Sequence, residues 1–154
     1  MTHPIDARLD ELGIALPTPP APAANYVPFV ITGNQPYVSG QLPVTNGEMM
    51  TGKLGADLDV AGGAQAARAC AINLIAQLKI ACGGDFDRFD QVVKLTAFVN
   101  STPEFADQPK VVNGASDLMG EVFGEAGKHA RSAVSAASLP FGVAVEIDAV
   151  FALK

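Results

Sequence analysis

The alternation of apolar and polar positions lays out most of the chain. From Val143 the odd positions are Val143, Val145, Ile147, Ala149, Phe151 and Leu153, while the even ones include Glu146, Asp148 and Lys154. A period of two predicts a strand with one buried and one more polar face. Phe89–Asn100 alternates likewise, with Val93, Leu95, Ala97 and Val99 on one side. The period lengthens over Val60–Ala81, where Ala67, Cys70, Ala71, Leu74, Ile75, Leu78, Ala81 and Cys82 follow helical spacing. Asp57 or Asp59 is placed to cap this helix, and Gly83-Gly84 ends it. Glu104–Phe123 carries a second helical stripe of Val111, Val112, Ala115, Leu118, Met119 and Val122, with Pro109 in its first turn. A short helical pattern over residues 4–16 aligns Ile5, Leu9 and Leu12, and Gly13 terminates it.

Between these lie shorter elements. Tyr26–Thr32 reads as a strand, and Pro28 within it points to an edge or a bulge. After the Gly33-Asn34 turn, Tyr37–Leu42 forms a second strand in which Gly40 signals a bulge or a close backbone approach. A third short strand falls near Glu48–Thr51. Arg131 opens another strand, joined to the last one by a turn at Leu139–Gly142, so a terminal hairpin is expected. The order of strands, helix, strand, helix and two strands gives an α+β domain, a mixed sheet with two helices packed on one face. Pro17–Pro22 is too rich in proline for helix or sheet, so residues 1–24 read as a helical, proline-rich appendage and residues 25–154 as one domain.

Composition narrows the function. The 154 residues are 49% hydrophobic, enough for a single packed core. The net charge of −6 comes with ten Lys and Arg scattered along the chain, which counts against a nucleic-acid partner. No apolar run reaches the length of a bilayer span, and the first residues lack a secretory pattern, so a cytoplasmic, membrane-free protein is expected. Cys70 and Cys82 lie about 18 Å apart along one predicted helix and cannot bridge each other there. His3 and His129 lack ligand-spaced partners, so no metal site is expected.

The candidate chemistry sits in the expected hairpin. Arg131 offers a planar fork of donors that matches a carboxylate, and Glu146 is a carboxylate suited to position or deprotonate a water. A plain surface ion pair between the two is the competing reading.

These residues belong to a longer pattern. Arg131, Ser132, Val134, Leu139, Pro140, Val145, Glu146, Ile147 and Ala149 fill R-S-x-V-x-x-x-x-L-P-x-x-x-x-V-E-I-x-A. With Asn25-Tyr26, Val38-Ser39-Gly40-Gln41-Leu42-Pro43 and Asn113, the chain resembles the Rid (reactive intermediate deaminase, YjgF-like) family over roughly residues 24–154. The resemblance implies a chorismate-mutase-like homotrimer with a central barrel and clefts between subunits. It implies hydrolysis of enamines and imines such as 2-aminoacrylate to 2-oxo acids and ammonia, without a cofactor. Arg131 would hold the substrate carboxylate and Glu146 would orient the attacking water. Ala133 stands where the family often has Cys and would contribute its backbone carbonyl. Tyr26 and Ser39 would relay a proton or line the pocket, and Asn113 would contact substrate. Each has a plainer alternative: a strand-edge aromatic for Tyr26, bulge chemistry for Ser39, a solvent-facing position for Asn113. Two other functions stand beside deamination. One is a non-catalytic trimer binding a small carboxylate in the same cleft; the other is a ribonuclease, disfavoured by the acidic charge.

Overall fold

A computed structural model describes every residue of the chain except Ala23. Three α-helices and seven strands follow one another in this order: α1 (Pro4–Glu11), β1 (Phe29–Thr32), β2 (Gln35–Gln41), β3 (Val44–Thr45), β4 (Glu48–Met49), α2 (Val60–Ala81), β5 (Phe89–Asn100), α3 (Gln108–Phe123), β6 (Ala130–Ala136) and β7 (Val145–Leu153). Five strands form one sheet in the order β1-β2-β7-β5-β6, and β3 and β4 form a separate ribbon. Only β5 and β6 run parallel; the other pairs are antiparallel, so the sheet is mixed.

Both α2 and α3 lie on one face of the sheet, α2 over β2 and β7, α3 over β5 and β6. Leu74, Ile75 and Leu78 of α2, Leu118 and Met119 of α3, and Leu95, Val99, Ile147 and Phe151 of the sheet are wholly shielded from solvent. Burying a side chain of this size stabilises by about 1.5–3 kcal/mol. Asp59 caps α2, its side chain accepting from the Gly62 N–H at 2.8 Å. Two small residues set the distance between the helices: a Cβ on Gly114 of α3 would run into the backbone carbonyl of Ala64 on α2.

α1 shares this core. Its Leu9 and the following Ile14 are buried in the same apolar cluster. Gly13 has φ +71°, and the Ile14 N–H donates to the Leu9 carbonyl while the Gly13 N–H donates to that of Asp10. That is a Schellman termination with its apolar contact between the same two residues. Arg8 Nε donates to the Glu121 carbonyl at 2.8 Å, and Lys79 Nζ meets Asp6 at 2.9 Å. The helical part of the N-terminal segment is therefore packed onto the domain.

The structure departs from the sequence expectations in four places. The first strand starts at Phe29, so Tyr26 and Pro28 precede it and no strand hydrogen bond is lost to the proline. β6 and β7 do not form a hairpin: β5 lies between them. The segment β5–α3–β6 is a crossover, which returns β6 parallel to β5 along one edge and leaves the other edge of β5 for β7. The connection from β6 to β7 passes beyond the end of β5, where Lys53 Nζ donates to Asn100 Oδ1 (2.7 Å) and the Ala137 carbonyl (2.6 Å). Buried Asn100 Nδ2 in turn reaches the carbonyls of Gly52 and Val143. A register shift between Val92 and Lys94 also moves Val92, rather than Val93, onto the buried face. α3 begins at Gln108, four residues after Glu104, with Pro109 in its first turn. The bulge signalled by Gly40 is present as a register shift between Val38 and Gln41.

Gly→Ala in a helix interior is normally favourable by up to about 1 kcal/mol. At Gly114 the added methyl must instead move one helix backbone off another, a kind of overpacking that costs about 1–3 kcal/mol. Gly114→Ala is expected to lower the melting temperature by several degrees, whereas Gly120→Ala, whose Cβ would meet nothing within 4 Å, is expected to leave it equal or higher; paired thermal melts read the difference.

Candidate functional site

Arg131 stands on β6 opposite Leu95 of β5, and Leu95 faces the helices. The pleat therefore aims Arg131 at α3. There its Nη1 donates to Asn113 Oδ1 at 2.8 Å and to Ser116 Oγ at 3.0 Å, and Nη2 donates to the Pro109 carbonyl at 3.3 Å. All three acceptors are neutral. Among the described residues no carboxylate pairs with this guanidinium. A guanidinium has five N–H donors, so two remain for a ligand.

The Ser116 hydroxyl links this cation to a histidine. His129 Nε2 lies 2.9 Å from Ser116 Oγ, and His129 Nδ1 lies 2.7 Å from the Gly127 carbonyl. A carbonyl only accepts, so Nδ1 carries the proton, and Nε2 of the neutral ring accepts from the hydroxyl. The donors thus run in one direction, from guanidinium through hydroxyl to imidazole and on to the Gly127 carbonyl. They bound a cavity of about 500 Å³ whose walls are Asn113, Ser116 and Gly120 on one side and Lys128, His129 and Arg131 on the other. Ser116 and His129 were not singled out as site residues from sequence. The available signal was the i, i+3 spacing of Asn113 and Ser116, a polar pair on a helix otherwise striped with apolar residues.

Glu146 lies elsewhere. It pairs with Phe98, three residues along β5 from Leu95, and so faces the side of the sheet without helices. β5 separates its strand from that of Arg131, a lateral gap of about 10 Å at two strand spacings. Within one chain the two residues share neither a face nor a contact, which removes the plain ion-pair reading. Glu146 packs beside Gly40: a Cβ there would come within 2.6 Å of Glu146 Oε2. Desolvation raises the Glu146 pKa, and the negative charge of Asp148 raises it further. Asp148 is itself raised by burial, against Lys94 and a hydrogen bond from Thr96 that lower it. Glu146 is consequently a stronger proton acceptor than an ordinary carboxylate.

Ser39 precedes Gly40 in the β2 bulge, and its hydroxyl donates to the Val27 carbonyl at 2.8 Å. This bond fixes the segment carrying Tyr26, whose ring is 54% exposed. Ala133 lies two residues beyond Arg131, on the same face and half-buried against the core. The sequence-derived residues thus separate into two groups: Arg131, Asn113 and Ala133 at the α3–β6 edge, and Glu146, Ser39 and Tyr26 toward β7 and β2. No cluster of three metal-ligating side chains occurs among the described residues, nor does any described helix have the length and apolarity to cross a membrane.

Comparison with known proteins fits this geometry. The model of the family described as "YjgF/chorismate_mutase-like, putative endoribonuclease" matches residues 6–152. Protein TCP17 of Trypanosoma cruzi is 55% identical over 152 residues, covering 97% of this chain and 94% of its own. The crystal structure of Atu1372 from Agrobacterium tumefaciens, a protein of unknown function, is 52% identical and superposes with a TM-score of 0.91, covering 98% of this chain and 93% of that one. E. coli TdcF with bound serine is 26% identical with a TM-score of 0.63, over 89% and 94% of the two chains. The match runs through α1 and all five strands of the main sheet, and on it the chain belongs to the YjgF/chorismate mutase-like family.

Proposed function

We propose that the protein hydrolyses reactive enamines and imines of amino acids, such as 2-aminoacrylate, to 2-oxo acids and ammonia. The observation that carries this reading is Arg131, a half-buried cation held by three neutral acceptors, with two N–H groups free and a cavity in front of it. A carboxylate fits that vacancy in charge and in geometry. The serine bound in the related TdcF structure is a ligand with such a carboxylate.

The reaction asks little of the protein. An enamine first becomes an imine by moving a proton from nitrogen to its β-carbon. The imine carbon is already electrophilic, and water adds to it with one proton passing to the nitrogen. The new hydroxyl gives up the other as the C–N bond breaks and the nitrogen leaves as ammonia. Holding the substrate and one water in register supplies most of the acceleration. Glu146 would orient that water and take its proton, a role favoured by a pKa that burial and Asp148 raise above the ordinary carboxylate value. Ala133 would offer its backbone carbonyl, and Tyr26 and Ser39 would complete the wall.

Arg131 and Glu146 lie on opposite faces of one sheet, so a shared site requires a second copy of the chain. The helix-free face supports such a contact: Val30, Tyr37 and Val134 on it are 56%, 46% and 46% exposed. In our reading three copies close these faces into a central barrel, and Arg131 of one copy meets Glu146 of the next. Ribonuclease activity, which the family description carries, is disfavoured by the net charge of −6 and by the scatter of the ten Lys and Arg along the chain.

Arg131→Ala removes two charge-assisted hydrogen bonds, each worth about 1.5–3 kcal/mol. It is expected to lower kcat/KM for 2-aminoacrylate, generated in a coupled lyase assay, by about 100-fold or more while the fold persists; full retention of activity would exclude the assignment. Gly40→Ala displaces the flexible end of Glu146 and no backbone. It is expected to reduce kcat by about 10- to 100-fold, the loss typical of a group moved by an ångström, with the same melting temperature. Asp148→Asn removes one cause of the raised Glu146 pKa. Because Glu146 must be ionised to act as base, the acid limb of the kcat/KM profile is expected to shift to lower pH; an unshifted limb would mean that another group controls it.

A further inference from the structure

The cavity in front of Arg131 has an electrostatic character that a simple monocarboxylate does not use. Two of its lining residues, Arg131 and Lys128, carry positive charge, and among the described residues no acidic side chain lines it. In a chain of net charge −6 this is a local reversal of sign. His129 Nε2 and Arg131 Nη1 lie within 3.0 Å of the same Ser116 hydroxyl, so the guanidinium is fixed beside a neutral imidazole. Their positions do not depend on a ligand, because the Gly127 carbonyl holds the imidazole and Asn113 holds the guanidinium.

The second cation, Lys128, is adaptable. Lys128 Nζ meets Glu125 Oε2 at 3.0 Å, with the two side chains 76% and 88% exposed. Pairs this exposed contribute about 0–1 kcal/mol, so Lys128 exchanges partners easily. The Gly120 wall carries no side chain, which leaves room between the fixed and the mobile cation.

We propose that this cavity selects 2-oxo acids, and the imines that yield them, that bear a second carboxylate. One carboxylate lies on Arg131 and the other lies against Lys128. The proposal rests on the reading of Arg131 as carboxylate anchor, and it names the side-chain class that the anchor alone does not.

Calorimetric titration of the full-length protein with 2-oxoglutarate and with 2-oxobutyrate, at one ionic strength, tests it. The dicarboxylate is expected to bind about fivefold more tightly, the most that an exposed ion pair provides. Lys128→Ala is expected to bring the ratio of the two affinities close to one, and Lys128→Glu to invert it. A ratio at or below one in the wild type, a preference that survives Lys128→Glu, or failure of both acids to bind would overturn the proposal. Imine hydrolysis without any dicarboxylate preference would sink this inference and leave the deaminase reading standing. A dicarboxylate preference without accelerated imine hydrolysis would do the reverse.

Discussion

A strand paired along both edges has only its two faces left for chemistry, and β5 is that strand here. The crossover through α3 fixes β6 on one edge, and β7 takes the other. Leu95, Ala97 and Val99 then point under the helices, while Thr96 and Phe98 point away. The same pleat carries through to the neighbours. It sends Arg131 toward α3 and Glu146 toward the open side. The division of the candidate site into two groups is thus a property of sheet topology, and no side-chain rotamer undoes it.

Much of this was legible beforehand. α2 and β5 occupy the ranges that their periods predict, and Asp59, Gly40 and Pro109 play the local parts their chemistry dictates. Periodicity reports which residues share a face, not which strand lies alongside, so the place of β5 between β6 and β7 was hidden. It also assumes an unbroken phase: the register shift after Val92 exchanged one valine for its neighbour. The Ser116–His129 link escaped for another reason. Those residues are thirteen apart and meet only because β6 returns beneath α3. The residues of the resemblance were found by pattern, but their separation into two groups required the fold.

The environment of Arg131 accounts for why neutral groups surround it. A carboxylate partner would fill its fork and hold it in the ground state, as structural ion pairs do. Amide, hydroxyl and carbonyl oxygens orient the guanidinium and leave its charge uncompensated. Glu146 is prepared in the complementary way: burial and a like-charged neighbour leave its negative form under-stabilised. Among the described residues neither Arg131 nor Glu146 has an oppositely charged partner within ion-pair distance.

The contact of Gly114 with Ala64 has a consequence for how such a protein can diversify. α3 is clamped through Gly114 and its apolar stripe, while Asn113, Ser116 and Gly120 look out from another side of the same helix. Anchoring and recognition are thereby assigned to separate sets of positions on one rod. A lineage can exchange the outward set, and with it the shape and polarity of the cavity wall, without renegotiating the packing that keeps the rod in place.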